Sequence, residues 1–211
     1  MLKGMSRVLI MPMKHFCETQ ATASQPSSGA TLVFFSAKTG RPNTGAPAGA
    51  EALPNTPVAE VDLARYAGTW HEIARLPNRF EDDCVGDITA TYTPREDGSI
   101  RVVNACRMAD GEIMSSDGEA RRTGDNPAQL EVRFAPKWLS FLPFVWADYW
   151  VIALDADYQW ALVGEPDLEY FWILSRDPQM DARTFEGLKA RARGLGYDLD
   201  ELVVVNPPRQ D

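Results

Sequence analysis

Histidine occurs only twice in this chain, at His15 and His71, and the three cysteines include no Cys-x-x-Cys pair. A zinc site built on imidazole and thiolate therefore lacks its ligands, and no metal or other cofactor is expected. Long apolar runs are missing too: no window reaches the roughly 18 residues that a membrane-spanning helix needs. Positive charge is scarce. Twenty-one lysines and arginines stand against thirty aspartates and glutamates, a formal net charge of −9, which excludes the basic face that nucleic acid requires. What the chain does have is core material. Its 211 residues are 45% hydrophobic and 10% aromatic, enough for one domain of ordinary size with a tail.

The tail is residues 1–60. Residues 19–60 are rich in Ala, Pro, Thr, Gly and Ser; such a stretch buries too little to offset its ordering entropy and reads as a poorly ordered linker. Ahead of it, Lys3, Arg7, the apolar run VLIMPM and Cys17 imitate an export signal. The imitation is poor. The run is interrupted by Pro12 and is shorter than the roughly 7–15 residues of a working one. Cys17 follows Lys14, His15 and Phe16 rather than the small residues that precede a lipoprotein cysteine.

From Val61 onward the pattern is short alternating strands separated by turns. The expected strands are 68–76, 87–94, 100–107, 112–123 (with a break near Gly118), 128–135, 148–154, 160–164 and 170–176. Connections are mostly short, and Asp97-Gly98 is a hairpin signal. Eight meandering strands remove their edges by closing, so the fold class is all-β: an eight-stranded antiparallel up-and-down barrel. Phe185, Leu188, Ala192 and Leu195 recur at helical spacing, with Asp181 as N-cap and Gly194 or Gly196 as terminator. That C-terminal helix has a single apolar stripe to lay against the outside of the barrel. A short ninth strand is expected over 201–206. Along the barrel strands, Ile88, Ala90 and Tyr92 share one face, as do Leu130, Val132 and Phe134. In DYWVIAL (148–154) both faces are apolar and alternation decides nothing. No cluster of acid, base and nucleophile stands out, and His71 reads as an exposed strand residue.

Three motifs carry a family resemblance. GTWHEIAR (68–75), DADY (155–158) ahead of WALV, and WILSR (172–176) occur in the order and at the distances that resemble the lipocalins. The match spans about residues 61–208 and is most similar to bacterial outer-membrane lipocalins of the apolipoprotein D type. The resemblance implies a barrel open at one end around a small apolar ligand. It implies that Trp70 sits at the closed end with Arg176 across its ring and Gly68 permitting the close approach, three residues that hold the fold and do no chemistry. It favours Trp150, Ile152 and Leu154 as inward, so the implied ligand-binding set is Ile88, Ala90, Tyr92, Val102, Val132, Phe134, Trp150, Ile152 and Leu154. The implied role is storage or transport of fatty acids or lysophospholipids in the periplasm or outer membrane, without catalysis. A tetrapyrrole or sterol is the alternative ligand.

Secretion into an oxidising compartment, again by resemblance, favours a disulfide between Cys84 and Cys106. In a regular hairpin across the 95–99 turn, paired numbers sum to about 194, whereas 84 and 106 sum to 190. A bulge or relaxed strand end is needed to bring them into the disulfide Cα range of about 4.4–6.8 Å. If they stay reduced, Cys84 is the candidate nucleophile of a thiol-dependent isomerase or peroxidase. One connection is anomalous. KWLSFLPFVW (137–146) places Trp138, Leu139, Phe141, Leu142 and Phe144 where a polar loop belongs, at the end implied to be open. It reads as a lid, as a homodimer interface, or as a segment that dips into a membrane surface.

Overall fold

Alternation of apolar and polar side chains produces eight antiparallel strands. They are β1 (Gly68–Arg75), β2 (Cys84–Pro94), β3 (Ile100–Met108), β4 (Ile113–Arg122), β5 (Gln129–Arg133), β6 (Ala147–Leu154), β7 (Trp160–Gly164) and β8 (Phe171–Ser175). The computed structural model describes residues 53–136 and 139–209. Each strand pairs with the next, β8 returns to β1, and β1 also pairs with β2, so the sheet closes into a barrel. A two-residue strand, β9 (Val203–Val204), pairs with Ala74 and Arg75, the part of β1 beyond its pairing with β2. The Asp97-Gly98 signal makes the β2–β3 hairpin: Asp97 accepts from Ser99 N at 2.9 Å, and Gly98 takes a φ of +82°.

Two cores share the barrel wall. The outer one is organised by α2 (Ala182–Gly194), whose N-cap Asp181 accepts from Thr184 N at 2.8 Å. Phe185, Leu188 and Ala192 pack on Ile73, Leu162, Phe171 and Ile173, which leave the barrel on its outer face. Each large side chain buried there contributes about 1.5–3 kcal/mol relative to exposure. The inner core fills the barrel from Trp70 upward. Strand β4 is continuous, contrary to the break expected near Gly118. Gly118 pairs with Val102, and a Cβ there would meet the Phe134 ring at 2.6 Å. The glycine makes room for a ring on the inner wall rather than interrupting the strand.

Residues 53–60, read from composition as part of the linker, are tied to the barrel. Leu53 N donates to Gly194 O at 2.9 Å, Val58 N to Val151 O at 2.8 Å, and the Asn55 amide to Glu165 O at 2.9 Å. The remaining expected tail, residues 1–52 with Cys17, lies outside the described residues, as does Trp138.

The closed end is built on one ring. The short α1 (Leu63–Tyr66), capped by Asp62, turns the chain across the base of the barrel. Trp70 is fully buried and donates its indole N–H to Tyr66 O at 2.8 Å. The Arg176 guanidinium lies 3.9 Å above the ring and donates to the carbonyls of Thr69, Arg65, Tyr66 and Ala67 at 2.8–3.1 Å. Gly68 has a φ of +95°, which demands glycine, and a Cβ on it would crowd the guanidinium at 3.3 Å. Replacing Arg176 with Ala strips a ring of its cover and takes a donor from four carbonyls, of which that of Tyr66 keeps another, the Trp70 indole N–H. We expect a loss of about 2–4 kcal/mol in urea unfolding. Affinity for an apolar probe, measured where the variant stays folded, should change little.

Candidate ligand-binding lumen

Beside Trp70, at the base of the lumen, is a plug of tyrosines. Tyr66 Oη and Tyr92 Oη each lie 2.8 Å from Tyr149 Oη, forming a chain of three buried phenols. Burial pushes all three pKa values up, that of Tyr92 to about 12, so they stay protonated and satisfy one another. Tyr66 also packs on Trp70 at 4.9 Å and on Tyr92 at 5.4 Å. Tyr92, expected on the ligand wall, is thus an inward residue engaged in the floor.

Higher up, inward side chains are less buried. Ala90, Val132, Phe134 and Trp172 join the inner cluster yet are only partly buried. Val102 and Leu154 also belong to this inner face, and Ile88 is buried beside it. Asn104, between Val102 and Cys106 on the inward face of β3, has a buried Oδ1 with no hydrogen-bond partner among the described residues.

Strand β6 corrects part of the expected set. Trp150 and Ile152 pack with the outer cluster under α2, and the inward residues are Tyr149 and Val151. A register shift between Val151 and Ala153 then turns Leu154 inward. Both faces of this strand are covered, one by the lumen and one by the helix, so an apolar residue suits either face.

Strand β1 holds residues that alternation missed. Glu72 pairs with the inward Leu174, and Arg75 with the inward Trp172, because a register shift at Ile73 lets two successive residues, Ile73 and Ala74, face α2. Glu72 and Arg75 are both buried. Arg75 Nη1 donates to Glu72 Oε1 at 2.8 Å, and its Nε forms an ion pair at 2.7 Å with Glu81 Oε2 from the β1–β2 loop. Burial first, then the neighbouring Glu81, raises the pKa of Glu72 against the pull of Arg75. An aromatic row adjoins the trio: Trp172 stacks on Tyr170 at 6.0 Å, and Tyr170 meets Phe80 at 5.7 Å. The only sequence signal was two apolar residues in a row between two charged ones.

The disulfide Cys84–Cys106 is present, with a Cα–Cα distance of 5.6 Å. Register shifts between Cys84 and Gly86 and between Gly86 and Thr89 supply the irregularity that the numbering required, so that Cys84 lies opposite Met108 and bonds diagonally to Cys106. Once bonded, Cys84 has no thiolate for the isomerase or peroxidase alternative. His71 is half-buried on the outer face opposite Ser175. Among the described residues no group of three or more His, Cys, Asp or Glu side chains is placed to hold a metal.

The apolar loop is partly self-buried. Leu139 and Leu142 pack against Ala135, Val145 and Trp146. Arg121 and Arg133 lie 3.9 and 5.0 Å from the Trp146 ring, whose N–H donates to Ser140 O at 2.9 Å. Phe141 is 75% exposed and Phe144 48%. Val85 and Ile113, at the same end of β2 and β4, are also exposed.

A barrel closed at one end by Arg176 over Trp70 and lined by apolar side chains fits a class of proteins that enclose one small hydrophobic molecule. Residues 61–207 match the family model described as Lipocalin-like domain, and the chain belongs to the lipocalin family. It is 40% identical over 148 residues to temperature-induced lipocalin-1 of Arabidopsis thaliana, covering 69% of this chain and 78% of that one. To the outer membrane lipoprotein Blc of Escherichia coli (strain K12) it is 41% identical over 155 residues, covering 72% and 83%. To mouse apolipoprotein D it is 32% identical over 163 residues, covering 72% and 81%. Insecticyanin of the tobacco hornworm shares the fold, with a TM-score of 0.56 at 22% identity over 74% of this chain and 85% of that one.

The raised pKa of Glu72 has a stability consequence. Between the ordinary glutamate value of 4.5 and the raised one, the folded chain holds a proton that the unfolded chain has lost. Stability from this group is full below that window and is lost as pH rises through it. Glu72→Gln keeps the neutral shape and an acceptor for Arg75. Its urea midpoint should match the wild type in acid and exceed it at neutral pH.

Proposed function

We propose that this lipocalin carries single-chain amphiphiles, fatty acids or lysophospholipids, with the tail in the upper lumen and the head at the mouth. The observation that supports this reading most is the division of the lumen. Buried phenols occupy the floor, while Ala90, Val132, Phe134 and Trp172 above them face inward and are only partly buried. An apolar bore suits a chain, and each buried methylene gains about 0.8 kcal/mol. The relatives named as outer membrane lipoproteins support a place in envelope lipid maintenance. Among the described residues no helix is long and apolar enough to cross a membrane. Tetrapyrroles and sterols are the bulkier alternative. Ala90→Trp would fill the open part of the bore. The folded variant should lose binding of a fluorescent long-chain fatty acid; unchanged affinity would put the ligand elsewhere.

The apolar rim supports delivery at a membrane surface. Val85, Ile113, Phe141 and Phe144 are exposed, and all four belong to the open end. Exposed apolar groups around a ligand entrance suit a lipid surface. Trp146 is buried, so Phe141 and Phe144 are the inserting residues. Flotation with phosphatidylcholine vesicles should carry the wild type upward and leave behind a variant with these four residues changed to Ser. Equal flotation of both, or none by the wild type, rejects docking. Conversion of a dimer to a monomer by the same variant would assign the rim to a homodimer interface.

A further inference from the structure

Glu72, Arg75 and Glu81 stand inside the mouth with two carboxyls for one guanidinium. Burial makes that arrangement selective. An anionic head that enters meets a guanidinium already held by two carboxyls and must displace one of them. A cation meets the surplus carboxyl. The adjoining wall has the matching chemistry. Trp172 lies opposite Arg75 on the β1–β8 ladder, Tyr170 stacks on Trp172, and Phe80, next to Glu81 in the chain, packs on Tyr170. Aromatic rings attract cations, and quaternary ammonium groups are recognised by such clusters of rings. The approach carries the same sign. Loops 77–83, 109–112, 134–146 and 165–170 hold eight aspartates and glutamates against two basic residues, Arg79 and Lys137. Such a field concentrates cationic heads at the entrance and depletes carboxylate ones.

We infer that the mouth selects, among single-chain amphiphiles, those whose head is a quaternary ammonium, held against Phe80, Tyr170 and Trp172 with Glu72 and Glu81 as counter-charges. This inference rests on the amphiphile-carrier reading above. A bare trimethylammonium and a phosphocholine share the recognised group. Titration adds a signature. The charged groups acting on Glu72 are Arg75 of its own strand and Glu81 of the loop; Leu174, opposite it on β8, carries no charge. A bound cation favours the ionised Glu72, so its affinity rises with pH through the range where Glu72 loses its proton. A bound carboxylate follows the opposite course across that range.

The test is calorimetric titration of the whole chain with dodecyltrimethylammonium, dodecylphosphocholine and laurate, each below its micellar concentration, at neutral pH and again in mild acid. The two ammonium amphiphiles should bind about tenfold or more tightly than laurate at neutral pH, a margin of the size that one desolvated charge contact gives. Their relative order assigns the natural head to a bare cation or to a zwitterion. Glu81→Gln should weaken both by about tenfold and leave laurate unchanged or tighter. Phe80→Leu, a loop substitution that alters no charge, should weaken both ammonium amphiphiles several-fold, about as expected for loss of one ring contact, and spare laurate. Laurate binding as tightly as the ammonium heads, or equal losses for all three in these variants, overturns the head-group inference and leaves the carrier reading standing. Failure of all three to bind overturns the carrier reading, and this inference with it.

Discussion

A closed sheet has two open ends, and a barrel becomes a container only when one of them is sealed. Here the seal is a guanidinium on an indole. Arg176 covers Trp70 at 3.9 Å and donates to four carbonyls of the segment entering β1. The guanidinium is itself only half-buried, and the chain between Arg65 and Thr69 presents carbonyls to match its donors. The consequences run upward. The same contacts hold Tyr66 beneath the barrel, Tyr66 meets Tyr149, and Tyr149 meets Tyr92. The floor of the lumen therefore stands where the closure puts it, and the space left for a ligand is what remains above.

Irregularities in three strands shape that space. The shift in β1 turns Ile73 and Ala74 together to the helix and brings Arg75 back inside. The shifts in β2 let Cys84 reach Cys106 across a diagonal. The shift in β6 swings Leu154 inward after Ala153 has faced out. Each bulge exchanges the faces of everything beyond it. A barrel with a helix on one flank and a polar station in its mouth needs those exchanges, because regular alternation would put Arg75 under α2.

This is also where the sequence stops being legible. The barrel and the outer helix could be read from turn residues and the helical stripe of Phe185, Leu188 and Ala192, and the ring-and-guanidinium closure and the cysteine pair followed from the family resemblance. Each is carried by residues whose chemistry permits few alternatives. The lining of the lumen is different. Trp150 and Tyr149 are both large and aromatic, and nothing in DYWVIAL distinguishes the face that meets a helix from the face that meets the bore. Glu72 and Arg75 are three apart, which in an ideal strand means opposite faces; one bulge places them together. The loop containing Phe141 looked uniformly apolar, yet packing divides it into Leu139 and Leu142 inside and Phe141 and Phe144 outside.

The rim has two sides of unlike character, and the proposed roles depend on that difference. The β1–β2 loop is held by a covalent bond at Cys84, by the Glu81–Arg75 ion pair and by the Phe80–Tyr170 contact. A loop fastened at three points loses little further freedom when a head group arrives, so more of the contact energy appears as affinity. Across the mouth, Ile113, Phe141 and Phe144 are exposed and apolar. A lipid surface met by that side would bring an acyl chain to the bore, while the fastened side presents charge and rings to its head. The disulfide thus bears on recognition as well as on stability: it fixes the end of the segment that carries both Phe80 and Glu81. Because Cys106 sits on the inner face of β3, the bond anchors that segment to the lumen wall itself.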